Sequence, residues 1–223
     1  ACERRGIAVL RAEGANARGV AELTIALMLC LLRSVSFGDA RIKAGGWERR
    51  QGTELEGRTL GVIGTGRIGK LVTKFALGMD MRVLGYDAFP DARYAPSPDF
   101  RYLTLDELLA QSDIVTLHCP HTPGQPPLLG STALARMRKG AVLVNTARGG
   151  LVDDTALLAA LQDGHLSGYG VDAYDTEPPA PGPLLVHDRV IATPHIGAFT
   201  AESVSRATRA AVDNLLAALS KTN

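Results

Sequence analysis

The chain has 223 residues, 24 Lys plus Arg against 23 Asp plus Glu, and 46% hydrophobic residues, an ordinary globular composition for one large domain or one and a half. A net charge of +1 without a basic block gives no electrostatic footprint for nucleic acid or an anionic membrane, so neither is expected as a partner. The longest apolar run, Val20 to Leu32, is interrupted by Glu22 and is too short for the roughly 20 residues of a bilayer span. Cys2, Cys30 and Cys119 are odd in number, far apart and without CxxC spacing, so neither a disulfide framework nor a zinc site is indicated. With no signal-peptide pattern at the start, a reducing cytoplasm is the expected setting.

In chain order, Ala17 to Gly45 carries apolar residues at Val20, Leu23, Leu27, Leu31 and Val35, the spacing of one long helix that Gly45 and Gly46 end. Met28, Leu29, Cys30 and Leu32 make its other faces apolar too, which predicts burial against a second lobe or a partner chain. From Thr59 onward, strand-length runs at Thr59 to Ile63, Arg82 to Tyr86, Asp113 to Leu117, Ala141 to Asn145, Gly168 to Val171 and Val190 to Ala192 alternate with helical patterns. The clearest helices are Arg67 to Met79, Thr104 to Gln111, Ser131 to Met137 and Asp153 to Gln162. This alternation predicts an α/β fold with a doubly wound parallel sheet. Phe89 to Phe100, with its three prolines, reads as a loop, and Ala201 to Leu219 as an amphipathic closing helix with Val204, Ala207, Ala211, Leu215 and Leu219 in register.

The strongest motif is Gly64-Thr65-Gly66-Arg67-Ile68-Gly69, directly after one strand and opening a helix. Gly64 permits the tight turn, Gly66 lets the backbone approach a pyrophosphate, and Gly69 lets the helix pack closely on the strand. The helix N-terminus at Arg67 and Ile68 presents unpaired N–H groups to the phosphates. The next strand ends at Tyr86-Asp87, where an acidic side chain can accept the ribose hydroxyls of an adenosine. Strand, turn, helix, strand and acid in this order predict dinucleotide binding.

Three further residues each follow a predicted strand: Arg148, Glu177 and His195. Loops at the carboxyl ends of parallel strands share one crevice, so residues far apart in sequence can converge there. Arg offers a planar fork of donors for a carboxylate, and His exchanges a proton near neutral pH. A neighbouring carboxylate favours the protonated imidazole. Taken singly, each also fits a blander role, as a surface ion pair, a solvated acid or a hydrogen-bonded loop histidine.

Together these stretches resemble the D-isomer-specific 2-hydroxyacid dehydrogenases. The resemblance runs from Gly14 to about Gly197 and rests on Gly14-Ala15-Asn16-Ala17 leading to Val20-Ala21-Glu22-Leu23, on Gly57-Arg58-Thr59-Leu60-Gly61 entering the Gly64 turn, and on Asn145-Thr146-Ala147-Arg148-Gly149-Gly150. Val171-Asp172-Ala173-Tyr174 with Glu177-Pro178, and Pro194-His195-Ile196-Gly197, complete it. The family's catalytic Arg, Glu and His fall on Arg148, Glu177 and His195, and its residue near the nicotinamide carboxamide falls on Asp172. The resemblance also implies NAD contacts from Cys119, Pro120, Thr146 and Ala147. It implies hydride transfer between NAD and a small 2-oxo or 2-hydroxy acid, with no metal, in a homodimer formed through the long helix. Gly46-Trp47 through Arg49 and Gly52-Thr53-Glu54-Leu55 look most like the phosphoglycerate dehydrogenase branch, with glyoxylate and hydroxypyruvate reductases close. The alternative implied by the same resemblance is a non-catalytic NAD-binding regulator of the corepressor type.

The family's substrate lobe mostly precedes the nucleotide-binding domain. The expected division is therefore 1–16 as the trailing end of that lobe, 17–197 as the NAD-binding domain with the long helix, and 198–223 as a helix returning to the lobe. Faces along the first and last helices are expected to lack their cover. His118 and His121 flank Cys119-Pro120, where the family places backbone around the adenosine, and two imidazoles alone make no metal site. Cys119 reads as a small buried residue, and His165 and His187 as polar-loop residues.

Overall fold

In the computed structural model, which describes residues 2–220, the Val/Ile/Leu runs form one parallel sheet. Its strands are β1 (Thr59–Ile63), β2 (Arg82–Tyr86), β3 (Phe100–Tyr102), β4 (Ile114–Leu117), β5 (Ala141–Asn145), β6 (Leu166–Val171) and β7 (Val190–Ala192). Their order is β3-β2-β1-β4-β5-β6-β7, and every neighbouring pair is parallel. β1, β4 and β5 are buried along their whole length. Strands covered on both faces need apolar residues on both, which is why these read as continuous runs rather than alternating ones.

Helices α1 (Ala17–Leu32) and α3 (Arg67–Leu77) pack on one face, and α4 (Leu105–Gln111), α5 (Ser131–Arg136) and α6 (Asp154–Gln162) on the other. The predicted doubly wound sheet is observed. Boundaries shift by the residues that cap. Thr104 closes a capping box with Glu107 at the start of α4, and Asp153 accepts from Thr155 and Ala156 N–H at the start of α6, each satisfying amides that the first turn leaves unpaired. The strand β3 was not among the predicted runs. It is a short edge strand, and Phe89 to Asp99 before it is a loop, as expected.

The single helix predicted from Ala17 to Gly45 is two helices, α1 and α2 (Val35–Lys43), bent by 65°. Ser34 between them is left-handed, with φ of 50°. The carbonyl of Leu32 accepts the returning Thr53 N–H at 3.0 Å instead of continuing the ladder. Past this point there is no sheet to bury against: α2 has no buried residue and Val35 is exposed. The apolar faces of α1 divide: Leu29 stays exposed, whereas Met28 finds its cover within the chain. Met28 is fully buried and packs with Leu60, Val62 and Val144 in the chain's own core.

The last helix, α7 (Ala201–Ser220), differs. Val204, Val212, Leu215, Leu216 and Leu219 are all exposed, as are Ile7, Val9 and Leu10. The segment before α1 docks beside α7, with Arg206 donating to the Ala15 carbonyl at 2.9 Å and Asn214 to that of Arg11 at 3.1 Å. Positions 1 and 221–223 of the expected division lie outside the described residues. No single helix among the described residues is long and apolar enough to cross a membrane.

Candidate active site

The sheet order reverses between β1 and β4, and crevices at such a switch point open at the carboxyl ends of the strands. A cavity of about 470 Å³ lies there, lined by Gly64, Gly66, Asp87, Cys119 and Pro120 among others. Gly64 has φ of +93°, and a Cβ on it would meet the His118–Cys119 backbone at 2.6 Å. A Cβ on Gly69 would run into the Gly64 carbonyl, so α3 can lie against the turn only with glycine at this position. Gly66 is different. A Cβ there meets nothing within 4 Å, so its glycine answers no packing demand of the chain itself and leaves the turn's outer side bare.

Asp87 is drawn onto this turn. Its Oδ2 accepts Thr65 N–H at 2.7 Å and the Thr65 hydroxyl at 3.1 Å, and its Oδ1 accepts Phe89 N–H at 2.9 Å. Arg67, Ile68 and Gly69 form the first turn of α3, with Arg67 paired to Glu13 at 2.9 Å. A bare glycine turn at a helix N-terminus with an acid beside it fits the pyrophosphate and ribose of a dinucleotide. His118 lines the same crevice. Both its ring nitrogens are buried without a partner among the described residues, and burial pushes the imidazole down to about 3, so it stays neutral. Burial also raises the Cys119 thiol, which leaves it protonated rather than nucleophilic.

Thr146, Ala147 and Asp172 lie beyond the lining of that cavity, as do Arg148, Glu177 and His195. Thr146 shares a buried 2.9 Å hydrogen bond with Thr24, and Ala147 belongs to the core, so their side chains serve packing. Asp172, 2% exposed, accepts the Thr193 hydroxyl at 2.6 Å, Ile196 N–H at 2.8 Å and Gly197 N–H at 2.8 Å. It ties the end of β6 to the loop after β7.

Arg148, Glu177 and His195 follow β5, β6 and β7, which are neighbours in the sheet. His195 Nδ1 lies 2.7 and 2.8 Å from the two Glu177 oxygens. The hydrogen bond from His195 holds the Glu177 carboxyl below its ordinary range, helped by the Tyr174 N–H and by the charges of His195 and Arg148. The Arg148 guanidinium itself donates to the Ala147 carbonyl at 2.6 Å. His195 itself sits at φ of +51°.

Three positioning residues went unnoticed in the sequence. Asn145 donates to the Arg148 carbonyl at 2.8 Å and accepts Ala147 N–H at 3.0 Å, which folds the Arg148 turn. Tyr174 donates its backbone N–H to Glu177 and its hydroxyl to the Thr193 carbonyl at 2.8 Å. Thr193 completes the clamp on Asp172. All three stand inside the stretches that carry the family resemblance, but polar residues beside a motif do not announce what they bond.

A further cavity, about 710 Å³, lies at the opposite, amino-terminal end of the strands. Its four guanidinium groups have partners: Arg58 and Arg138 pair with Asp113, Arg50 with Asp188, and Arg189 donates to the Leu161 carbonyl. No cluster of metal-ligating side chains occurs among the described residues.

The profile of the D-isomer specific 2-hydroxyacid dehydrogenase NAD-binding domain matches residues 25–197. The chain belongs to this family. It is 42% identical over 206 residues to D-3-phosphoglycerate dehydrogenase of Archaeoglobus fulgidus, covering 91% of this chain and 39% of that protein. Among solved structures it resembles a glyoxylate reductase from Paecilomyes thermophila (TM-score 0.89, 33% identity, 100% of this chain and 68% of that one). It also resembles D-lactate dehydrogenase from Aquifex aeolicus in complex with NAD and lactic acid (TM-score 0.86, 33% identity, 99% and 72%). The chain thus spans about 39% of the length of the curated relatives it matches. Its cofactor is the family's NAD, which the glycine turn and Asp87 fit.

Proposed function

We propose that the protein containing this chain catalyses reversible reduction of a 2-oxo acid to a D-2-hydroxy acid. The observation that supports it most is the convergence of Arg148 and the Glu177–His195 pair at the ends of three adjacent strands. NAD, when bound in the crevice, supplies or takes the hydride at the substrate's C2. Arg148 has a guanidinium fork suited to the substrate carboxylate. Nδ1 of His195 is turned to Glu177, which leaves Nε2 as the nitrogen that gives its proton to the carbonyl oxygen during reduction. Glu177 holds Nδ1 and so fixes the plane of the ring. In the oxidation direction the same Nε2 takes the hydroxyl proton.

We assign the adenosine ribose to Asp87, and cofactor contacts to Gly64, Gly66, the first turn of α3, and the Cys119-Pro120 segment, with Asp172 as the residue that holds the loop of His195 in place. The similarity to phosphoglycerate dehydrogenases supports a phosphorylated hydroxy acid as substrate. A homodimer would use the exposed Leu29, Val35, Ile42 and Trp47 of the α1–α2 region. The free thiols of Cys2, Cys30 and Cys119 suit a reducing cytoplasm.

The test is a screen of 2-oxo acids with NADH on the full-length protein, 3-phosphohydroxypyruvate, glyoxylate and pyruvate among them, with sedimentation for the dimer. Turnover that depends on His195 supports the reading. Tight NAD binding without turnover of any 2-oxo acid overturns it in favour of a regulator.

A further inference from the structure

A carboxylate offers about four lone-pair sites, and the structure shows three of those on Asp87 already filled. Oδ2 takes both the Thr65 N–H and the Thr65 hydroxyl, and Oδ1 takes the Phe89 N–H. One site remains, on Oδ1, whereas an adenosine ribose brings two hydroxyl hydrogens. The Thr65 hydroxyl also lies 3.0 Å from the Tyr102 hydroxyl, close enough to donate there instead. We propose that Thr65 and Tyr102 form a hydroxyl switch that sets how many ribose hydroxyls Asp87 can accept. The proposal rests on the reading of Asp87 as the ribose acceptor.

In one state Tyr102 donates to Thr65 Oγ1 and Thr65 donates to Asp87 Oδ2, which keeps the carboxylate saturated on that oxygen. In the other, the Thr65 hydrogen rotates to the Tyr102 oxygen and Oδ2 is released for the second ribose hydroxyl. No heavy atom needs to move, since both acceptors are already within hydrogen-bond range of Oγ1. Tyr102 is held for this. It ends the edge strand β3, its ring packs edge-on against Phe100 with centroids 5.1 Å apart, and Gly85 leaves room where a Cβ would meet both rings. Thr65 and Tyr102 are positioning residues, acting on the cofactor through Asp87.

The measurement is calorimetric binding of NAD, and of NAD analogues lacking the 2′- or the 3′-hydroxyl of the adenosine ribose, to the full-length protein. In Tyr102→Phe the Thr65 hydroxyl has no other acceptor and stays on Asp87. NAD affinity should then fall about 3- to 10-fold, the worth of one ordinary hydrogen bond. Deleting a ribose hydroxyl should weaken binding at both positions in wild type but at only one in Tyr102→Phe. Thr65→Val removes the competing donor, so adding Tyr102→Phe to it should change nothing; Thr65→Ala serves if the valine variant does not fold. An equal loss from Tyr102→Phe in both backgrounds would mean that the ring only packs, and the switch would be wrong. No loss in either would also refute it. Asp87→Ala separates the underlying reading: unchanged NAD affinity there removes Asp87 from ribose binding, whereas a loss there without one in Tyr102→Phe removes only the switch.

Discussion

Replacing Asp172 by Asn isolates the clamp beneath the catalytic loop, because the change keeps the side chain's shape and removes its charge. In the better amide orientation the Asn oxygen still accepts from Thr193 and Ile196, but its NH2 faces the buried Gly197 N–H, donor against donor. Hydrogen bonds to charged groups are worth about 1.5–3 kcal/mol and neutral ones about 0.5–1.5. One bond is lost and two weaken, while the amide is cheaper to bury than the carboxylate, so the net destabilisation comes to about 2–3 kcal/mol. For a chain of this size that lowers Tm by roughly 5–10 °C. The released loop carries His195, whose left-handed φ of 51° is costly for a residue with a Cβ and persists only where neighbours enforce it. Turnover of the full-length protein should therefore fall about tenfold or more, because the loop that carries His195 loses its anchor. Thermal unfolding and steady-state kinetics on the same preparation test this. A Tm within about 1 °C of wild type together with unaltered kcat would refute the clamp.

Alanine at the two turn glycines should separate fit from packing: Gly66→Ala leaves Tm unchanged but weakens NAD at least tenfold, whereas Gly69→Ala, whose Cβ meets the Gly64 carbonyl, lowers Tm by several degrees as well. Parallel thermal and binding titrations read both. NAD should bind more tightly than NADP because Asp87 repels a 2′-phosphate, and Asp87→Ala should narrow the ratio; equal affinities in wild type would contradict the assignment. His195→Gln should lower turnover by about 10² to 10⁴ with little change in NADH affinity. The same variant removes the main cause of the lowered Glu177 pKa, so the Glu177 carboxyl should titrate at higher pH by NMR, and an unmoved titration would show that the pair is not coupled.

Most of the sheet was readable because its central strands are buried on both faces, so Leu60-Gly61-Val62-Ile63 and Ala141-Val142-Leu143-Val144 appear as unbroken apolar runs. The edge strand Phe100–Tyr102 pairs on one side only, and three residues after a proline-rich loop give too little pattern to find. The break at Ser34 was hidden for a related reason. Helical spacing continued through Val35, but periodicity reports which side chains share a face, not whether anything lies opposite that face. The site showed the same division. Gly64, Gly69 and Asp87 were legible because a tight turn and an acid at a strand end have few other uses in that order. Asp172 stands in the sequence only as an acid after a strand, and the structure buries its carboxylate among three donors of one loop, which only the tertiary fold brings together.

The Glu177–His195 pair cannot hold itself in place. Side-chain exposures of 46% for His195 and 40% for Glu177 put their contact in screened surroundings, where an ion pair contributes little. That is less than the cost of fixing two side chains and a left-handed backbone. What fixes them lies one layer below: Tyr174 N–H on Glu177, the Tyr174 hydroxyl on the Thr193 carbonyl, and Asp172 on Thr193, Ile196 and Gly197. The supporting bonds to Asp172 are shielded from water and hence stronger than the exposed contact they orient. Loop position and ring orientation are therefore set by different residues. Glu177 holds the His195 ring while the loop stays where Asp172 puts it, and Asp172 governs the loop while Glu177 keeps its contact. Stability and ring orientation should then respond to separate substitutions, which is how a scaffolded pair differs from one assembled by its own attraction.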